Sequence, residues 1–227
     1  MRHHVVFICC LLVIMGCKKK DEPKPPEASV LIFPNQDSEC TTGESLNETT
    51  SSVEFRWMSS VNTEIYELKV SNITTGIAQT ISTASLSAKL PLEKGAPYSW
   101  FVVSKNAKAN ETAFSETRQF YNAGSQTTYA PFPAQIIFPK SGASVLKDIN
   151  NEIELSWSGA DIEDDIEVFK VYFGTEPTTN ILIATLPSDG FNRKVSVLSG
   201  NIYYWRIVTR DAESNTSDSG IFQFKVL

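Results

Sequence analysis

The chain has 227 residues, 41% hydrophobic and 20% charged, which is too long for one small sandwich-sized domain and enough for two. Eleven glycines and eleven prolines exclude collagen-like and low-complexity chains. A formal net charge of -6 and a sequence pI near 5.1 argue against a nucleic-acid partner. In chain order, residues 1–16 come first and read MRHHVVFICCLLVIMG. Arg2 and two histidines precede an apolar run from Val5 to Met15. That run is shorter than the ~20 residues a membrane-spanning helix needs. A charged start, a short apolar core and a small residue before the cut predict a secretory signal peptide over 1–16.

Val13-Ile14-Met15-Gly16-Cys17 resembles the lipobox of bacterial lipoproteins, in which a cysteine follows a small residue. The resemblance implies that Cys17 becomes the mature N-terminus and is lipidated, making the membrane a partner through the anchor. Each buried methylene contributes ~0.8 kcal/mol, so two or more chains hold where one does not. Residues 17–27 are charged and proline-rich and are expected to form a disordered tether. Lys18 is not the aspartate that retains some lipoproteins at the inner membrane. Lys20-Asp21-Glu22 looks like the signals that send lipoproteins to the cell exterior; a plain solvated spacer is the other reading. The expected location is the outer membrane, at the cell surface or on the periplasmic face.

Removal of residues 1–16 takes both histidines, Cys9, Cys10 and Arg2. The mature chain then carries 19 basic and 26 acidic side chains, no histidine, and only Cys17 and Cys40 as cysteines. No Ser-His-Asp or Cys-His nucleophile can be assembled. No histidine zinc site and no intramolecular disulfide is possible. Stability must come from packed cores, and Cys40 reads as a partly buried inert thiol. No cofactor is expected.

Two repeats follow. Ile32-Phe33-Pro34 recurs as Ile137-Phe138-Pro139, and Val53-Glu54-Phe55-Arg56-Trp57 as Ile153-Glu154-Leu155-Ser156-Trp157. Tyr66-Glu67-Leu68-Lys69-Val70 is answered by Phe169-Lys170-Val171-Tyr172-Phe173, and Tyr98-Ser99-Trp100 by Tyr203-Tyr204-Trp205. Gln119-Phe120 is answered by Gln223-Phe224. Offsets run from 100 to 105 residues, and each copy holds two of the four tryptophans. Every block alternates apolar and polar, the period of a half-buried strand. Val53, Phe55 and Trp57 are predicted to face inward, Glu54 and Arg56 outward. The pattern predicts an all-β chain of two sandwiches.

Tyr98 and Tyr203 each follow a Leu–Gly turn stretch and precede an inward tryptophan by two residues. That resembles the tyrosine corner of immunoglobulin-like sandwiches. A tryptophan on an early strand, Tyr-x-Trp on a late one and no cysteine pair together resemble fibronectin type III domains. The likeness covers residues 28–122 and 133–227, with 123–132 as a short linker of limited flexibility. Residues 35–52 stand out as a polar insertion. The resemblance says little about function, because function lives in sites grafted on folds.

Candidate sites are few. Asp161, Glu163 and Asp165 belong to the densest acidic run, in the loop after the residue 153–157 strand. Calcium takes such oxygens, but Ile166 stands where an EF-hand loop requires glycine, so solvated loop carboxylates are expected. No cleft for a glycosidase pair is expected, and the chain reads as non-enzymatic. Tyr172, Tyr204 and Arg206 should share the outer face of neighbouring strands. They form either a flat patch for a glycan or protein or a cross-strand cation–π pair. Lys69, Ser99 and Phe101 hold the matching first-copy positions, so the patch is not repeated. Loops near 35–52 and 189–193 are further contact surfaces, with Phe191 exposed or tucked under the sheet. Four Asn-x-Ser/Thr sequons, at Asn47, Asn72, Asn110 and Asn215, read as chance. The expectation is a lipid-anchored envelope binding or spacer protein making protein–protein or adhesive contacts. The alternative is a glycan-binding accessory lipoprotein of a polysaccharide-uptake system.

Overall fold

The computed structural model describes residues 23–125, 128–178 and 181–227. The signal peptide expected over 1–16, the expected lipidation site Cys17 and residues 18–22 of the expected tether lie outside the described residues. The first sandwich contains β1 (Leu31–Phe33), β2 (Ser38–Cys40), β3 (Glu44–Ser45), β4 (Thr50–Trp57) and β5 (Ile65–Asn72). It continues through β6 (Ala78–Thr83), β7 (Ser87–Glu93), β8 (Ala96–Lys105), β9 (Thr112–Phe114) and β10 (Arg118–Asn122). The second contains β11 (Gln135–Phe138), β12 (Ala143–Val145), β13 (Glu152–Ser158), β14 (Ile166–Gly174) and β15 (Leu182–Pro187). It closes with β16 (Asn192–Ser196), β17 (Ile202–Asp211), β18 (Thr216–Asp218) and β19 (Phe222–Val226). Among the described residues there is no helix.

The two copies share one topology. β1-β4-β7 faces β2-β10-β8-β5-β6, and β11-β13-β16 faces β12-β19-β17-β14-β15. All pairings are antiparallel except β2 with β10 and β12 with β19, which run parallel. A short sheet, of three strands in the second copy and of four in the first, where β3 also pairs with β4, packs on a longer one, and the tandem repeat is a pair of fibronectin type III-like sandwiches. Both Ile-Phe-Pro copies carry a cis bond before proline.

Strand alternation places the cores. Val53, Phe55 and Trp57 are buried, while Glu54 and Arg56 face outward, as their period requires. All four tryptophans are at most 1% exposed. In the first core the ring centroids of Phe55 and Trp100 lie 5.1 Å apart, edge to face. In the second, Phe173 stacks on Tyr203 at 5.0 Å. Cys40 is buried, and burial raises its thiol pKa, so it packs as a small hydrophobe.

Both tyrosine corners close. The Tyr98 hydroxyl accepts the Glu93 N–H at 2.9 Å, and the Tyr203 hydroxyl accepts the Leu198 N–H at the same distance. Tyr203→Phe keeps the ring and orphans that N–H. The expected loss is about 1–3 kcal/mol, read as a lower urea midpoint with an unchanged m-value.

Two expectations change at the edges, and one open alternative resolves. The tether docks before residue 28: Pro26 is buried, Pro25 O accepts from Asn62 Nδ2, and Glu27 N donates to Val61 O. Residues 35–52 are not a free insertion. They supply β2, matched by β12 in the other copy, and β3, which pairs with β4. Phe191 lies against Phe169 at 5.6 Å while its carbonyl accepts the Trp157 N–H, so it tucks against the core and remains 41% exposed.

Candidate functional site

The outer face of the β14–β17 pair carries the expected aromatic–basic group. Tyr172 sits directly opposite Arg206, and Tyr204 lies opposite Gly174. The guanidinium carbon stands 4.2 Å from the Tyr172 ring centroid, and Arg206 also pairs with Asp218. The geometry is a cross-strand cation–π pair backed by a carboxylate, with Tyr204 farther along the same face.

The first sandwich places a basic and an aromatic side chain at the matching positions with the strands exchanged. Lys69 on β5 lies opposite Phe101 on β8. Phe101 packs on Phe114 at 6.1 Å, while Lys69 turns to Glu67 at 3.2 Å. Phe114 on β9 and Asp218 on β18 occupy equivalent positions, opposite Val103 and Val208. An aromatic partner accompanies Phe101 and an anionic one accompanies Arg206. The two faces thus share residue types but not contacts: Arg206 lies over Tyr172, whereas Lys69 turns away from Phe101.

In the acidic loop Asp161 and Asp165 are half-buried and Glu163 and Asp164 are exposed. Single carboxylate oxygens of Asp161, Glu163 and Asp165 lie within 4.8 Å of one another. Asp165 makes a second such group with Asp211, the last residue of β17, and Glu213 in the turn that follows. Ala212 N donates to Asp165 O at 3.1 Å, tying the two loops together. Asp161 Oδ1 accepts the Glu163 N–H at 2.8 Å, and Asp211 accepts both N–H and Nδ2 of Asn215. Asp161 Oδ2 and Asp165 Oδ1 are buried and receive no hydrogen bond. None of the five carboxylates has a salt bridge among the described residues.

The electrostatic consequence is a shifted proton affinity. Burial, followed by the charges of Asp165 and Glu163, pushes the Asp161 pKa up to about 6. Sharing with Asp165 raises that of Glu213. An oxygen-only set is the type a hard cation takes. Asp211 and Glu213 were not singled out from sequence. The signal was there only in combination: β14 and β17 are neighbours, so the loop entering one and the turn leaving the other share an end of the sheet.

Above this cluster the two sandwiches meet. Tyr121 at the end of β10 packs on Tyr129 and Phe132, with ring centroids 4.8 and 5.1 Å away. Ile73, Ala160 and Ile162 close around them. Tyr121 Oη donates to Ala130 O at 2.8 Å, Phe132 N to Ala160 O at 3.0 Å, and Tyr129 N to Glu163 Oε2 at 2.9 Å. The Tyr129 hydroxyl also bonds Glu39. Burial raises the pKa of both tyrosines to about 12. The described part of the linker is therefore a packed wedge, held to β2 on one side and to the acidic loop on the other. Phe132→Ala removes its fully buried ring. The expected result is a broader distribution of interdomain distances in solution scattering, with both sandwich cores retained.

A polar cleft of about 750 Å³ opens beside the first sandwich, lined by residues including Thr41, Ser45, Thr49, Ser51, Lys94 and Asn122. Buried Asn122 braces it by accepting from Ser51 Oγ and donating to the Leu92 and Glu93 carbonyls. No aromatic side chain lines it.

No protein-family model and no curated protein matches the chain. Solved structures do. The fibronectin(III)-like modules of Clostridium thermocellum CbhA are 14% identical, with 88% of this chain and 93% of that one covered and a TM-score of 0.33. The two fibronectin type-III domain segment of chicken tenascin is 17% identical, with 87% and 98% covered and a TM-score of 0.27. A β-1,2-glucanase from Parabacteroides distasonis is 10% identical over 78% of this chain and 30% of its own, with a TM-score of 0.34.

Proposed function

We propose that this chain is a lipid-anchored, non-enzymatic binding or spacer arm of a bacterial cell envelope. Acylated Cys17 holds it at the outer membrane, a short tether leads to the first sandwich, and two sandwiches in series carry contacts away from the membrane. The observation that carries the reading is the packed joint of Tyr121, Tyr129 and Phe132. A chain whose domains only needed to be joined has no use for a linker buried between them. A spacer that presents a surface at a set distance does.

The sheet faces and loops of the sandwiches are then the contact surfaces, with an envelope or extracellular protein as partner. A glycan-binding accessory role is the second reading. The Tyr172–Tyr204 face favours it, and the burial of all four tryptophans, which leaves no indole platform, weighs against it.

Protease added to intact cells tests the reading, with an epitope at the C-terminus near Leu227. The expected result is loss of the epitope while periplasmic controls survive, and movement of the protein to the soluble fraction on Cys17→Ala. Protection until the outer membrane is ruptured would place the arm in the periplasm. A membrane-bound Cys17→Ala variant would refute the anchor.

A further inference from the structure

An antiparallel sheet ends in strands with unpaired N–H and C=O groups, and proteins ordinarily blunt them with proline, charge or bulges. Three of the sheet-end strands here follow that practice. β7 carries Pro91, whose carbonyl is taken by Gln79 Nε2 at 3.0 Å. β15 ends in Pro187 and breaks register against β14 between Val171 and Tyr172. β16 carries Arg193 and Lys194. β6, the last strand of the sheet β2-β10-β8-β5-β6, has none of these devices. It reads AQTIST and pairs with β5 without interruption from Tyr66↔Thr83 to Ser71↔Ala78. Residues 74–88 around it contain neither a charge nor a proline, in a chain of net charge -6.

The hydrogen-bond phase of that edge follows from one contact. Asn72 N donates to Ile77 O, so Ile77, Gln79, Ile81 and Thr83 turn their backbone groups toward β5. Ala78, Thr80 and Ser82 therefore direct theirs outward.

We infer that β6 is a self-association edge, where a second copy of this chain adds its own β6 antiparallel about a two-fold axis at Thr80. In that register Thr80 meets Thr80 of the other copy, and Ala78 meets Ser82. All three outward-facing residues then exchange both backbone hydrogen bonds. Gln79 faces Ile81, and Ile77, which is 68% exposed in the single chain, faces Thr83 of the other copy. The missing charges select this occupant. An isologous contact sets a strand against itself, where a charge close to the axis meets its like, whereas a strand receiving a foreign acidic or basic segment gains from a charge.

Sedimentation and cross-linking of the full-length chain in mild detergent test the inference. The wild type should be a dimer at micromolar concentration. Thr80→Pro removes an N–H that points away from β5, and association should weaken roughly tenfold or more. Thr185→Pro on the already blunted β15 should leave it unchanged. Thr80→Cys keeps the edge intact, and hydrogen-bonded pairs have Cα atoms ~5.5 Å apart, within disulfide reach. Copper phenanthroline should therefore link Thr80→Cys into a species of twice the chain mass, and leave Ser82→Cys and the wild type largely unlinked. A monomeric wild type, equal cross-linking of both cysteine variants, or a cross-link to a different protein would each overturn it.

Discussion

Trp205→Ala is expected to destabilise the second sandwich by about 3–5 kcal/mol, enough to unfold much of it near physiological temperature. Trp205 is fully buried, opposite Phe173 on β14 and 6.4 Å from Phe222 on β19. Trp157 enters the same core from the opposing sheet. The second sandwich contains no cysteine, so no disulfide within it limits the unfolded state and the vacated volume has nothing but repacking to offset it. Urea unfolding followed by far-UV circular dichroism should split into two steps, with the second sandwich melting first. Trp205→Phe should cost clearly less. It fills part of the space and removes an indole N–H that is buried without an acceptor. A shift below about 1 kcal/mol for Trp205→Ala would mean that the core relaxes around the loss.

Asp161→Asn is expected to stabilise the protein at pH 7.5, with a gain that vanishes on acidification. The folded protein holds the Asp161 proton up to about pH 6, while the unfolded chain releases it near 3.8. Between those values the folded state binds more protons, so the stability of the wild type falls as pH rises. Above pH 6 the penalty is complete, on the order of 1–2 kcal/mol once partial exposure is allowed for. Asparagine keeps the oxygen that accepts the Glu163 N–H and carries no charge beside Asp165. Denaturation midpoints measured from pH 4 to 8 should nearly coincide for the two proteins at the acid end, separate up to about pH 6 and keep a constant gap above it. Parallel curves would show that Asp161 is not strained by its neighbours.

Much of the architecture was readable before any coordinates. The alternation in residues 53–57 and 153–157 placed two inner strands, and the paired Tyr-x-Trp blocks located both corners. These signals are local, arising within one strand or one turn. What escaped was non-local. β2 and β12 are three residues each, and their parallel pairing to β10 and β19 leaves no periodicity to read. Tyr129 and Phe132 sit in a polar and proline-rich stretch that reads as linker, and only the closeness of Tyr121 and Ala160 makes them core. The acidic centre needed Asp211 and Glu213, some fifty residues beyond Asp161 and outside any run of charge. Lys69 and Phe101 against Tyr172 and Arg206 are two mismatches position by position, and only the cross-strand register shows that each copy sets one basic and one aromatic side chain opposite each other.

The parallel strands also determine how such an arm bears load. In each sandwich an early strand lies directly beside the last one and points the same way, β2 with β10 and β12 with β19. A pull applied between the N- and C-terminal ends of a sandwich draws on their opposite ends. The hydrogen bonds joining them are then loaded together in shear, instead of opening one after another like a zip. Each sandwich thus resists extension as a unit.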